Sequence, residues 1–221
     1  MLGKKAKEVL QVLNEAGLLE HIVLIGSWCG HFYSLYFGRN RYRPNIQTLD
    51  IDFLIPEPRR LQSGLSPVQD LLKPLDFDEE YTASGWLRFV HPELRVEFLV
   101  PRLGPQSDDP RKIPQLKITA MPLRHTSVLT KHTIEVEDGA LKVRVPHPVA
   151  FALHKLFVSG RRKDKEKAGR DLEMALRILE TLRNSREIKD IFRIWTDFTQ
   201  KEKNAIQKIL VQEGYGNLIN M

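Results

Sequence analysis

Residues 48–55 read TLDIDFLI, and the fold is decided by how this octet is laid out. Apolar positions alternate: Leu49, Ile51, Phe53 and Ile55 share one face of an extended strand, and Asp50, Asp52 and Leu54 share the other. Pro56 and Pro58 end that strand. Two carboxylates at i and i+2 lie in each other's repulsive field, here beside apolar neighbours. Each resists ionisation unless a cation neutralises the pair. A divalent cation with oxygen ligands is the usual remedy, and Mg2+ often takes one or two carboxylates together with substrate phosphates. Residues 94–100, LRVEFLV, repeat the pattern, with Val96, Phe98 and Val100 on one face and Arg95, Glu97 and Leu99 on the other. Glu97 is therefore a candidate third carboxylate from a neighbouring strand. The competing reading puts Asp50 and Asp52 on the solvent side of an edge strand. An EF-hand does not fit, because Phe53-Leu54-Ile55 stands where a glycine and a hydrated loop are needed.

Upstream, His21-Ile22-Val23-Leu24-Ile25 predicts a buried strand that enters a tight turn at Gly26-Ser27. A glycine at a strand-to-helix turn lets a phosphate approach the backbone. The N-terminus of the following helix then offers unpaired N–H groups and a positive dipole end, and the Ser27 hydroxyl can join the same phosphate. Residues 28–37 are aromatic-rich and predict that helix despite Gly30; Gly38–Pro44, GRNRYRP, is a basic loop. Trp28, Phe32, Tyr33, Tyr36 and Phe37 read mostly as core. A Cys29–His31 nucleophile is not expected, since side chains at i and i+2 on a helix do not face each other. Cys29 reads as a packing residue.

The apolar spacing over residues 4–18 predicts a helix closed by Gly17. Further along, a helix is expected at 66–73, strands near 77–82 and 86–91, and a loop over 104–114. KHTIEV and LKVRV predict a hairpin turning at Asp138-Gly139. From Pro148 the pattern is helical, near 148–159, 166–183, 187–197 and 200–213. Thr199 with Glu202 predicts a capping box for the last helix and Gly214 its stop. The fold class is α/β (α+β): a mixed-sheet domain over residues 1–146, then a helical domain over 147–221.

The 221 residues include 34 Lys and Arg against 28 Asp and Glu, a net charge of +6. At 42% hydrophobic and 28% charged, the chain falls outside the disordered, collagen-like and coiled-coil classes. No apolar run approaches the ~20 residues of a membrane span, and the first twenty residues lack a signal-peptide core. The expectation is a soluble, cytoplasmic protein without a membrane partner. One cysteine excludes an intramolecular disulfide and a multi-cysteine zinc site. His21, His91, His125, His132, His147 and His154 show no metal-ligand spacing. Arg161–Arg170, RRKDKEKAGR, holds six basic and two acidic residues, as a solvated helix end or a polyanion-binding segment would.

Three motifs together carry a resemblance: Ile25-Gly26-Ser27, Leu49-Asp50-Ile51-Asp52-Phe53 and Val96-Glu97-Phe98. Hydrophobic-Gly-[Gly/Ser], then Asp-h-[Asp/Glu]-h, then h-[Asp/Glu]-h resembles the nucleotidyltransferase superfamily of DNA polymerase β, the CCA-adding enzymes and the aminoglycoside nucleotidyltransferases. Prokaryotic nucleotidyltransferase-domain proteins are the nearest group. Toxin-type nucleotidyltransferases of abortive-infection systems are similar through His154-Lys155-Leu156, Arg161-Arg162, Lys165 and Arg170-Asp171-Leu172. The resemblance spans about residues 22–183.

It implies a polymerase-β-like mixed sheet followed by a helical bundle. It implies Asp50, Asp52 and Glu97 as ligands of Mg2+, with Glu97 near the acceptor hydroxyl or acting as its base. Gly26 and Ser27 would grip the β and γ phosphates of an NTP. Lys155 and Arg162 would reach the phosphates, and Asp171 would pair with one of them and orient it. Read without the resemblance, Lys155 lies on an apolar helix and snorkels to solvent. The implied reaction moves an NMP from an NTP to an acceptor hydroxyl. RNA or tRNA suits the basic segments 39–43 and 161–170, a protein hydroxyl or a small molecule stays open, and a toxin role would add a cognate antitoxin. The rival is a non-catalytic nucleotide- or RNA-binding regulatory module on the same fold. The 22 residues between Ser27 and Asp50 exceed the superfamily's usual gap. They either enlarge a substrate-facing loop or hold the first two motifs apart.

Overall fold

A computed structural model of the chain describes residues 2–45, 48–102 and 108–218. Helix α1 (Lys4–Glu15) leads into strand β1 (Val23–Ile25), helix α2 (Cys29–Tyr36) and strand β2 (Asp50–Leu54). Helix α3 (Val68–Leu72) precedes β3 (Asp78–Tyr81), β4 (Leu87–His91), β5 (Leu94–Pro101), β6 (Arg111–Ile113) and β7 (Ile118–Leu123). Helix α4 (Ser127–Lys131) and the hairpin β8 (Thr133–Asp138) and β9 (Leu141–Pro146) complete the mixed α/β part. Four helices follow: α5 (Pro148–Ser159), α6 (Lys165–Arg183), α7 (Asp190–Trp195) and α8 (Gln200–Gln212). None of the described helices is long and apolar enough to cross a membrane.

The spine of the sheet is β5. Along one side it pairs in parallel with all of β2, and along the other it pairs with β4 at its start and with β7 at its end. Strand β1 flanks β2 antiparallel, β3 flanks β4, and β6 flanks β7. Alternation sends Ile51, Phe53, Val96, Phe98 and Phe89 to one buried face, where Phe53 and Phe98 stack at 5.6 Å. The opposite face is charged: parallel register sets Asp50 opposite Arg95 and Asp52 opposite Glu97. Asp50 and Asp52 thus lie on an interior strand, which removes the edge-strand reading.

Helix α5 is apolar on every side, and all its residues except Val158 are buried. It packs against α4, α6, α7 and α8, as a helix without a polar face must. Tyr33 of α2 donates to the Pro146 carbonyl at 2.8 Å and sets its ring edge against Phe151. The capping box at Thr199 and Glu202 forms as the sequence predicts.

Two expectations need correction. The hairpin turns at Gly139-Ala140, because Asp138 pairs with Leu141; Gly139 at φ +66° takes the first turn position, where a type II′ turn requires positive φ. Within the stretch expected to be loop, Arg111–Ile113 is a short strand, and residues 103–107 lie outside the described residues. Strand β7, six residues with a proline, and the five-residue α4 leave too short a period to be seen in sequence.

His154 of α5 is buried, and neither ring nitrogen finds a hydrogen-bond partner among the described residues. Burial, and then the adjacent Lys155 charge, push its pKa down to about 3. The folded state therefore binds this proton less readily than the unfolded chain, whose histidine titrates near 6.5. Stability from this group is intact above that value and is lost as pH falls toward about 3, at up to about 1.4 kcal/mol per pH unit. His154→Leu is expected to flatten that acid limb. Denaturant midpoints at pH 7 and pH 5 check it: the gap between them shrinks in the variant.

Candidate active site

Antiparallel pairing of Ile25 with Asp52 brings the turn after β1 against the Asp52 carboxylate. Gly26 sits there at φ +74°, and a Cβ on it would lie 2.3 Å from Asp52 Oδ2. Both the backbone conformation and the close approach penalise any other residue. The Gly26 and Ser27 carbonyls accept from the N–H groups of Cys29 and Gly30, which starts α2 directly beyond the turn. The long spacer therefore does not separate the motifs. Its surplus lies along α6, where Arg41 Nη2 donates to the Asn184 carbonyl at 2.7 Å and Arg177 Nη1 to the Arg43 carbonyl at 3.5 Å.

A cavity of about 730 Å³ opens between the charged sheet face and α5–α6. Gly26, Ser27, Asp50 and Asp52 line one wall; Lys155, Arg162, Lys167 and Arg170 line the other. Asp50 is held from behind by Thr48, whose hydroxyl accepts the Asp50 N–H at 3.1 Å. Arg95 Nε stands 2.6 Å from Asp50 Oδ1, but the two are misaligned for a hydrogen bond, and both atoms are buried without one. Burial, then the charges of Glu97 and Asp50, push the Asp52 pKa up to about 7, while Lys155 and Arg162 pull it back. Glu97 is raised as well, by burial and then by Asp50, against the opposing charges of Arg88, Arg95 and Lys167. Glu97 shares the sheet face of Asp52, its partner in register, although it does not line the cavity itself.

Lys155 does not snorkel. Its ammonium meets Asp171 Oδ1 at 2.5 Å with both side chains buried, and it sits 5.4 Å from the Phe151 ring centroid. Arg162 Nε donates to the second Asp171 oxygen. Asp171 pairs with both cations, where the sequence suggested one or the other. The Cys29 thiol donates to the Leu24 carbonyl and His31 pairs with Asp138, so these two do not act together. Arg95, Thr48, Lys167 and Arg170 also face the cavity. Arg95 left a sign in sequence as the residue sharing the Glu97 face two positions earlier, and Lys167 and Arg170 as members of the basic run 161–170; Thr48 left none.

Among the described residues, no three His, Cys, Asp or Glu side chains converge to form a ready metal cage. Asp50 and Asp52 nevertheless fit Mg2+. They are adjacent hard-oxygen donors facing a roomy cavity, one holds a buried oxygen without a hydrogen bond, and the other resists ionisation because it is buried beside Glu97 and Asp50. Mg2+ needs only one or two carboxylates where phosphates supply the remaining ligands.

Two substitutions test this construction. Gly26→Ala is expected to displace the Asp52 carboxylate and to lower stability by about 1–3 kcal/mol through backbone strain, read by denaturant unfolding. Asp171→Asn strands a buried ammonium and is expected to cost about 3–5 kcal/mol. Lys155→Met/Asp171→Leu is expected to recover most of that loss in the same assay.

A nucleotidyltransferase family model matches residues 4–199 of the chain. No curated protein matches it in sequence. Among solved structures, the antibiotic-resistance factor ANT(2'')-Ia in solution has a similar fold, with a TM-score of 0.50 and 12% identity over 92% of this chain and 94% of that one. ANT(2'')-Ia crystallised with adenylyl-2''-tobramycin matches at TM-score 0.47 and 12% identity, covering 94% and 95%. An antigenic nucleotidyltransferase-like protein from Paracoccidioides brasiliensis matches at 0.44 and 14%, covering 91% and 93%. With the acidic strand, the glycine turn and the basic wall gathered on this fold, the chain belongs to the nucleotidyltransferase family, transferases of nucleoside monophosphates.

Proposed function

We propose that the chain uses Mg2+ to transfer an NMP from an NTP to an acceptor hydroxyl in the cavity between the sheet and α5–α6. One observation carries the reading: Asp50 and Asp52 face Lys155, Arg162, Lys167 and Arg170 across a space of about 730 Å³. That is the charge layout a metal-bound triphosphate needs, carboxylates for the metal and cations for the phosphates.

Asp50 and Asp52 hold the metal. When bound, Mg2+ neutralises the phosphates and polarises the α-phosphorus toward attack. The side-chain-free backbone at Gly26 admits a phosphate close to the turn, and Ser27 adds a hydroxyl donor. Lys155, Arg162, Lys167 and Arg170 take the negative charge that builds on the departing pyrophosphate. Asp171 holds Lys155 and Arg162 in place as a positioning residue. Glu97, beside Asp52 on the next strand, takes the proton of the acceptor hydroxyl. Burial and then the Asp50 charge raise its pKa above the usual carboxylate range, which makes it a stronger base.

Incubation with Mg2+ and each α-labelled NTP is expected to transfer label to an acceptor, and Asp50→Ala/Asp52→Ala to reduce the transfer at least about a thousandfold, the scale of losing a dominant electrostatic contribution. Asp52→Asn is expected to abolish the Mg2+ dependence of NTP binding. NTP binding that answers to salt, ignores Mg2+ and survives Asp52→Asn would instead mark a non-catalytic nucleotide-binding module.

A further inference from the structure

We infer that Arg95 is a further positioning residue: in the free protein it occupies the metal's seat at Asp50, and it passes to a phosphate of the NTP when a divalent cation takes that seat. The inference rests on the metal-dependent transfer proposed above and adds a coupling between its two ligands.

The pairing of the sheet is the first observation. Register sets Asp50, Arg95, Val90 and Asp78 in one row across β2, β5, β4 and β3. The next row is Asp52, Glu97, Arg88 and Glu80. Residues paired in this way share a sheet face, so the two rows form one charged surface. Arg88 stands between two acids, and its Nη2 donates to Glu80. Arg95 has an acid on one side only, Asp50; on the other side is Val90, which offers no acceptor.

The second observation is how loosely Arg95 is held. Its Nε stands 2.6 Å from Asp50 Oδ1, yet both atoms are buried without a hydrogen bond among the described residues. An arginine built to stay on a carboxylate makes parallel N–H···O bonds to it. Lys155 and Arg162 show the difference, since each is hydrogen-bonded to its own oxygen of Asp171. Arg95 is attracted to Asp50 by charge alone, on a side chain that is partly exposed and lines the cavity. Such a contact is weak and exchangeable.

Exclusion is the third. Asp50 Oδ2 accepts from the Thr48 hydroxyl at 3.4 Å, so Oδ1 is the oxygen left for a metal. A divalent cation there and a guanidinium against the same atom exclude each other by charge and by space. Arg95 then has no acid in its own row, and Glu97 in the next row already faces Arg88. Its open direction is the cavity, where the triphosphate is held. Metal binding alone strands the guanidinium, whereas with NTP present it exchanges a carboxylate for a phosphate. Each ligand therefore raises the affinity of the other, and by the same factor.

The experiment uses the full chain, Mn2+ as the probe of the divalent site and α,β-methylene NTPs, which bind without turnover. Mn2+ binding is read from the paramagnetic resonance of the free ion, and NTP binding by equilibrium dialysis at saturating Mn2+. Arg95→Met and Arg95→Gln remove the charge at Asp50. Arg88→Met removes a charge of the same sign from the next row and so measures the effect of charge alone. In both Arg95 variants, Mn2+ without NTP is expected to bind at least about tenfold tighter than to the native chain, and NTP with Mn2+ at least about tenfold weaker, within the usual range of couplings between sites. Arg88→Met is expected to stay close to the native chain in both measurements. Mn2+ binding unchanged in the Arg95 variants, or raised equally in Arg88→Met, overturns the seat at Asp50. NTP binding that is not weakened overturns the passage to phosphate. A native chain that binds no Mn2+, with or without NTP, overturns the metal reading of Asp50 and Asp52 and this inference with it.

Discussion

Asp50, Asp52 and Glu97 stand on one face of two parallel strands, and charges of one sign at that spacing cannot all ionise unless cations face them. The arrangement of the molecule follows from this. Strand pairing cannot relieve the repulsion, since the register that aligns the backbones is what sets Glu97 beside Asp52. Arg95, opposite Asp50, supplies one positive charge from within the sheet, but in an alignment that leaves both atoms without a hydrogen bond. Arg88 of β4, opposite Glu97, supplies another, and the rest comes from across the cavity, on α5, α6 and the turn between them. Burial, and then the charges of Glu97 and Asp50, still leave Asp52 with a pKa of about 7. The acid excess of the sheet and the basic excess of the helices are two halves of one electrostatic problem.

Placing a lysine on the most buried helix of the protein is costly, and Asp171 is what makes it tolerable. An ammonium on α5 without a partner would lose its proton or open the packing. With one Asp171 oxygen on Lys155 and the other on Arg162, the carboxylate neutralises one charge of two and holds both cations at the cavity wall. The trio keeps a net positive charge in fixed geometry. A buried ion pair of this kind contributes little to stability compared with an apolar substitute. Its contribution is position: α5 is anchored on every side by apolar contacts, so a cation held by it has little freedom to wander.

Period two in TLDIDFLI and LRVEFLV was enough to place three carboxylates on charged strand faces, because alternation is a local property. Which strand neighbours which is not local. The parallel register of β2 with β5 crosses a connection that contains α3, β3 and β4, and only the folded chain shows Asp50 opposite Arg95. Lys155 was misleading for a related reason. A lysine in an apolar helix usually extends to solvent, and the partner that holds this one inside lies sixteen residues away on another helix. The hairpin was visible but displaced by one residue, since Asp-Gly and Gly-Ala both satisfy the turn and the pairing of Asp138 with Leu141 decides between them. Strand β7 and helix α4 were invisible because six and five residues hold too little periodicity to stand out from the loops around them.

The long spacer between the glycine turn and the acidic strand shows how such an insertion is absorbed without disturbing a site. Strand β2 must return beside β1, so the surplus has to leave the sheet and come back. It does so over α2, and the approach is close: a Cβ on Gly30 would lie 2.8 Å from the Pro44 side chain and 3.2 Å from Met174. Gly30, an unfavourable residue within a helix at about 1 kcal/mol relative to alanine, is what allows the loop to cross there. Tyr42 then enters the core beside Tyr33 and Phe37, pinning the crossing. A residue buried at the middle of Arg-Tyr-Arg leaves its two neighbours no inward direction. The outward display of Arg41 and Arg43 is therefore a consequence of how the insertion is anchored. The same glycine and tyrosine that let the two motifs meet also build the basic border of the cavity.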